Sequence, residues 1–441
     1  MRKSLLRLAP LALVGFVGTA FADDSGITIY GILDAAIAYV QHTLDFEGNH
    51  PVEVNPNVTK GTNSATGMMN GAMSATRWGI KGQEDLGGGT KAIFLLEQGF
   101  DLSTGTVSNA AIGLANNKST GPQFSADSAI SGQFFNRGAY VGLSSNQYGT
   151  FTAGRQQNFF LDNIAIFDPL MGSQAFSPIG FSGSYGGGGF TDDSRVDNSL
   201  KYKIALGDFT LGAMYKIGGI AGGNLAESAW LFNGVYAVGP FAAQLGYEQF
   251  RDAFSISNNT GTGSVKVTAA DTKAYMAAAK YTWEHLTVRG GYEREEMENP
   301  TNPTQDLLLT TIFNTPVASV TVNAYPNQKN LNVYWFGGGY DFTPAFTLLA
   351  GVYHVSQNAY NCKGQQIPIP GQAAPSASAC SGALNYYSLV ADYNLSKRTD
   401  LYVGWMDSLV SGGPAAAVAN TAPLASENGN RIYALGFRHR F

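Results

Sequence analysis

The side chains able to act as soft ligands or nucleophiles are few: His42, His50, His285, His354 and His439, with Cys362 and Cys380. The histidines show no ligand spacing for zinc, and two cysteines cannot build a multi-cysteine metal cage. The sequence contains no Gly-x-Ser-x-Gly, so a nucleophile elbow is absent. It contains no Gly-x-x-x-x-Gly-Lys-Ser/Thr phosphate loop either. The glycine run from Gly186 to Gly189 lacks a flanking strand–helix frame and reads as loop. These residue types predict no enzyme, no metal and no cofactor. What remains is charge, and its chemistry depends on the elements that carry it.

Composition narrows those elements. Of 441 residues 13% are charged, low beside the quarter or so usual in soluble domains. The 26 Phe, 22 Tyr and 5 Trp exclude a disordered chain, and 32 acids against 27 bases exclude a strongly basic nucleic-acid binder. The length fits about three soluble domains or one large barrel. Arg2, Lys3 and Arg7, an apolar run from Leu8 to Val17, and Ala20-Phe21-Ala22 predict a signal peptide over 1–22, cleaved before Asp23. Removing those three bases takes the net charge from −5 to −8. The mature chain, 23–441, is expected to form one domain. Its two 20-residue stretches without Asp, Glu, Lys or Arg, Ser228 to Tyr247 and Phe342 to Asn361, are broken by Pro240 and Pro344. Neither reads as a membrane helix.

Alternation replaces helical periodicity. Tyr387, Leu389, Ala391, Tyr393 and Leu395 face one way, and Ser388, Val390, Asp392 and Asn394 the other. Leu286 to Glu293 and Tyr433 to Phe441 repeat the pattern, and a period of two means strands. Sixteen are predicted, near 27–42, 72–85, 89–101, 132–145, 149–156, 195–206, 208–217, 228–238, 241–250, 271–284, 286–295, 330–342, 345–357, 385–396, 399–409 and 430–441. Short turns alternate with long loops near 43–71, 102–131, 157–194, 251–270, 296–329, 358–384 and 410–429, plus a shorter one at 218–227. An even number of strands with short turns at one rim and long loops at the other matches an all-β, outer-membrane antiparallel barrel. Arg77 then points inward with Lys81, while Trp78 and Ile80 face lipid or a subunit partner. A cation facing lipid near the midplane costs about 2–4 kcal/mol. In an oxidising exported setting Cys362 and Cys380, in a Pro/Ala/Ser-rich loop, are expected to form a disulfide, with free thiols the alternative.

Specific blocks resemble the trimeric porins of Gram-negative outer membranes, most of all the general porins of Neisseria- and Burkholderia-like bacteria. They are Ile27 to Ala35, Thr76 to Gly89, Phe135 to Leu143, Gly149 to Arg155, Tyr393 to Thr399 and Gly436 to Phe441. The resemblance implies a homotrimeric, water-filled diffusion channel for small hydrophilic solutes and ions, set among outer-membrane lipid and lipopolysaccharide. It implies that the third long loop, Gln156 to Ser194, folds into the lumen carrying Asp162, Asp168, Asp192 and Asp193. It places Arg77, Arg137 and Arg195 on the opposing wall, with Lys81 and Arg155 joining them. Phe441, by the same resemblance, is the signal read by the barrel assembly machinery. A substrate-specific channel for sugars or anions is the alternative, and a plugged adhesion or scaffold barrel a more distant one.

Overall fold

A chain that crosses hydrocarbon on strands must pair every backbone amide, and only closure of the sheet achieves this. The computed structural model describes residues 25–46, 60–107, 123–125, 134–179, 195–219, 222–223, 225–252, 255–257, 265–268, 271–302, 305–307, 311–312, 315–316, 327–360, 381–412 and 425–441. Sixteen antiparallel strands form the barrel. They are β1 (Gly26–Phe46), β2 in two segments (Lys60–Asn70 and Arg77–Gly87), β3 (Thr90–Gly99), β4 (Gly138–Ser145) and β5 (Gly149–Gln157). Then follow β6 (Arg195–Leu206), β7 (Phe209–Lys216), β8 (Ala229–Val238), β9 (Phe241–Phe250), β10 (Asp271–Trp283) and β11 (Leu286–Glu298). The last five are β12 (Lys329–Thr343), β13 (Phe346–Gln357), β14 (Gly382–Asn394), β15 (Thr399–Gly412) and β16 (Ala425–Arg440). Each pairs with its sequence neighbour, and β1 closes on β16 from Ile32 opposite Arg440 to Phe46 opposite Ala425.

The side chains sort as the period of two requires. Tyr387, Leu389, Tyr393 and Leu395 are exposed on the outer face, whereas Ser388 and Asp392 are buried inside. On β16, Tyr433, Leu435 and Phe437 point out and Arg438 points in. Glycines shape the tight rim: Gly87, Gly88 and Gly89 all hold positive φ between β2 and β3, a conformation that costs glycine little. At the seam Phe441 and Gly31 exchange two backbone hydrogen bonds of 3.1 Å, and the Phe441 ring fills the space over Gly31.

The structure corrects the expected loop over 43–71. β1 runs on to Phe46, and Lys60–Asn70 pairs along it from Ala35 opposite Asn70 to Asp45 opposite Lys60. Residues 64–68 are exposed in succession, on both faces, so no apolar alternation marks this extension as a strand. The strand expected from residue 72 begins instead at Arg77. Gly71 takes a φ of 72° and Gly71–Thr76 turns inward, burying Ala72 and Met73. The loop after β5 holds a helix the period-two pattern did not reveal, α1 (Phe159–Phe167). Beyond the barrel, residues 123–125, 255–257, 265–268 and 305–307 join three loops in a small four-stranded sheet.

Candidate functional site

α1 forms where Asn158 caps its first turn, accepting the Leu161 N–H at 2.7 Å, which satisfies one of the donors a helix start leaves open. Apolar residues surround it because it is buried in the lumen: Phe159, Phe160, Phe167, Leu170, Phe176 and Ile179 are all nearly inaccessible. They dock on wall glycines. Phe159 lies against Gly212 of β7, Phe160 against Gly246 of β9, Leu170 against Gly351 of β13, and Phe176 against Gly404 of β15. At each of the four an added Cβ would meet the loop side chain at 2.1–2.5 Å. Polar contacts fix the rest. Arg289 Nε donates to the Ile166 carbonyl and Trp335 Nε1 to the Phe167 carbonyl, both at 3.0 Å, closing carbonyls that a helix end leaves unpaired. Ser388 Oγ donates to the Phe176 carbonyl at 2.6 Å, and Asn158 Nδ2 to Glu248 at 3.1 Å.

The loop thus follows the inner wall from Lys201 and Lys203 of β6 round to β15, and the arc from β2 to Arg195 at the start of β6 carries the expected cations. Glu97, on β3, sits among them. Its carboxylate accepts Arg137 Nε at 2.7 Å and the Tyr30 hydroxyl at 2.9 Å, with Arg77 Nε at 3.5 Å. Lys81 lies 5.3 Å over the Tyr30 ring. Arg155 donates Nε to the Asn136 carbonyl at 2.8 Å and pairs with Asp197. Arg195 is within electrostatic reach of Arg137, Arg155, Arg77 and Glu97. The four arginines therefore share one patch, and Lys81 stands beside it on the Tyr30 ring. Of the four arginines Arg77 has the most exposed side chain, 25% against 8% for Arg137 and Arg155, and Arg195 too is buried.

The two loop acids go elsewhere. Asp162, in the first turn of α1, pairs with Lys201 at 2.7 Å and Lys203 at 3.1 Å on β6. Burial pushes its carboxyl up, but the two ammonium groups outweigh that and hold it below the usual aspartate range. Asp168 has no exposed surface. It caps the end of α1, takes the Tyr353 hydroxyl and the Gly172 N–H at 2.6 Å each, and burial pushes its carboxyl up. Both carboxylates tie the loop to its wall. Asp192, Asp193, Gly186 to Gly189, Cys362, Cys380 and residues 1–22 lie outside the described residues. Glu97, Tyr30 and Asp197 were missed by the sequence reading. Alternation alone put Glu97 on the inward face opposite Gly79, one step from Arg77, and that was the available signal.

The sequence profile described as Gram-negative porin matches residues 9–412. An outer membrane porin protein of Bordetella pertussis is 27% identical over 459 aligned residues, covering 100% of both chains. The anion-selective porin from Comamonas acidovorans has the same fold, with a TM-score of 0.60 at 19% identity over 95% of this chain and 100% of its own. The trimer form of OmpT from Vibrio cholerae gives a TM-score of 0.51 at 14% identity, over 95% of this chain and 100% of its own. A closed sixteen-stranded barrel with a loop packed inside it, matched to one family over most of its length, makes this chain a member of the Gram-negative porins, an outer-membrane channel.

Proposed function

We propose that the protein is a passive diffusion channel for small hydrophilic solutes and ions, working as a homotrimer and favouring anions at its narrowest point. The observation that carries the reading is the unequal lining of that point. The inward loop occupies the wall from Lys201 and Lys203 of β6 round to β15, and the arc facing it presents Arg77, Lys81, Arg137, Arg155 and Arg195 around Glu97 and Asp197. Rings of charge bias ions by sign, and the acids Asp162 and Asp168 are committed to lysines and to Tyr353. Water and polar solutes orient in such a field, whereas an apolar solute must displace ordered water. No covalent step is part of this reading, so the protein is not an enzyme. The anion-selective neighbour and the trimer form of OmpT point the same way.

The experiment is single-channel recording of the purified protein in a planar bilayer under a salt gradient. The expected record is large ohmic steps that close in threes, with a reversal potential on the anion side. At about 10 Å in water one charge shifts an ion's energy by about 0.4 kcal/mol. Arg77→Ala with Arg137→Ala should then raise an anion's energy and lower a cation's by about 0.8 kcal/mol each, so the anion-to-cation permeability ratio should fall about sixteen-fold. An unchanged reversal potential removes the basic arc as the selectivity element. Silence from a folded, heat-modifiable barrel removes the diffusion reading itself.

A further inference from the structure

The inward bend between the two segments of β2 touches both sides of the candidate constriction. On one side the Ala72 carbonyl accepts the Ala175 N–H at 2.8 Å and Ser173 Oγ at 2.9 Å, both from the inward loop. On the other side the Ala75 carbonyl accepts Arg77 Nη1 at 3.0 Å, and Arg77 is the most exposed arginine of the basic arc. Gly71–Thr76 is therefore the common mount of the loop and of the arginine that faces it.

Asp34 of β1 fixes that mount. Its backbone carbonyl accepts the Gly71 N–H at 2.8 Å and Thr76 Oγ1 at 3.0 Å, and its N–H donates back to Thr76 Oγ1 at 3.1 Å. Its carboxylate accepts the Met73 N–H at 3.1 Å, the Ser74 N–H at 2.6 Å and the Tyr402 hydroxyl. Arg438 of β16 reinforces the same bend, donating Nη1 to Ser74 Oγ at 2.8 Å while Nε and Nη2 hold Asp400 and Asp392. Asp34, Ala72, Ser173, Phe176 and Asp400 are fully buried. A carboxylate that receives two backbone N–H groups and a hydroxyl is costly to replace, because each donor would be left buried and unpaired.

We infer that Asp34 is a positioning residue of the channel: it lines no constriction, yet through the 71–76 bend it sets where the inward loop and Arg77 stand relative to each other. The inference rests on the channel reading above. A lumen carboxylate would ordinarily be valued for its own charge on passing ions. Here the charge is sealed off, and its influence on permeation runs through two backbone carbonyls.

The test compares wild type, Asp34→Asn and Tyr402→Phe, with Asp407→Asn as control, because Asp407 pairs outward with Arg431 and touches neither loop nor bend. Asp34→Asn keeps the shape but sets an amide NH2 against backbone donors. Folded Asp34→Asn should lose the single conductance level, opening to several, with the reversal potential shifted as Arg77 moves. Tyr402→Phe should give a smaller change in the same direction, and Asp407→Asn none. Should Asp34→Asn fail to fold, Tyr402→Phe carries the test. Wild-type conductance level and reversal potential in the folded variants overturn the positioning role, while the channel reading stands or falls on the wild-type record alone.

Discussion

Four arginines gathered on one arc repel one another, and Glu97 and Asp197, set between them, offset that repulsion. Residue chemistry also explains why the two expected loop acids are not opposed to that arc. Asp162 is neutralised by Lys201 and Lys203, and Asp168 is sealed behind Tyr353. The Asp162 pair carries a pH signature. Its folded pKa lies below the unfolded value of about 3.9, so its stabilisation is present in full above that value and is lost as pH falls through the depressed one. The melting-temperature difference between wild type and Asp162→Asn should be constant near neutrality and shrink to nothing in strong acid. A difference that instead grows on acidification contradicts the pairing.

At the scale of elements, the inward loop behaves as a strip of knobs. Four side chains, Phe159, Phe160, Leu170 and Phe176, each sit where a wall strand offers glycine in place of a side chain. Packing of this kind is intolerant of added volume, and overpacking costs about 1–3 kcal/mol. At Gly246 the first added carbon would stand 2.1 Å from the Phe160 ring. Gly246→Val should therefore leave the barrel folded and heat-modifiable but release α1, read as noisier open-channel current and faster protease cleavage within the loop. Quiet current and unchanged cleavage would mean that the glycine sockets do not hold it. The wall's cap on α1, from Arg289 and Trp335, shows the same division of labour: the helix supplies apolar surface and the barrel supplies the polar partners.

For the whole molecule, the outer face is not uniform. Ring pairs such as Tyr215–Trp230, Tyr247–Tyr275 and Tyr292–Tyr334 lie on β7 to β12, where aromatic belts meet the membrane interface. The faces of β1 and β4 instead expose Ile27, Ile29, Ile37, Val141 and Leu143. Apart from the Tyr39–Tyr433 pair this face is aliphatic, which suits a neighbouring subunit, so Val141→Arg should dissociate the proposed trimer, read by cross-linking. Leu245→Arg, equally outward on β9, should cost about 2–4 kcal/mol in lipid and leave the oligomer intact. Equal cross-linking in both variants would place the subunit contact elsewhere.

The sequence alone determined which residues cross the membrane and which way they face. A strand half in lipid and half in water must alternate, and that alternation is written locally, so all sixteen strands, the inward Arg77 and Lys81, and the outward Tyr387 and Leu389 were legible. Where both faces of a strand are exposed, as along residues 64–68, the alternation vanishes and nothing in the sequence marks the strand. The inward loop was legible only through resemblance, because α1 is a short helix and the glycines the loop docks on, Gly212, Gly246, Gly351 and Gly404, lie far away in sequence, unmarked in any local window. Tertiary structure alone decided that Asp162 and Asp168 serve the wall, that Glu97 knits the arginines, and that Asp34 holds the bend beneath them. Closing a barrel brings β1, β2, β15 and β16 into one neighbourhood, and the roles of buried charges are fixed by neighbours that only closure supplies.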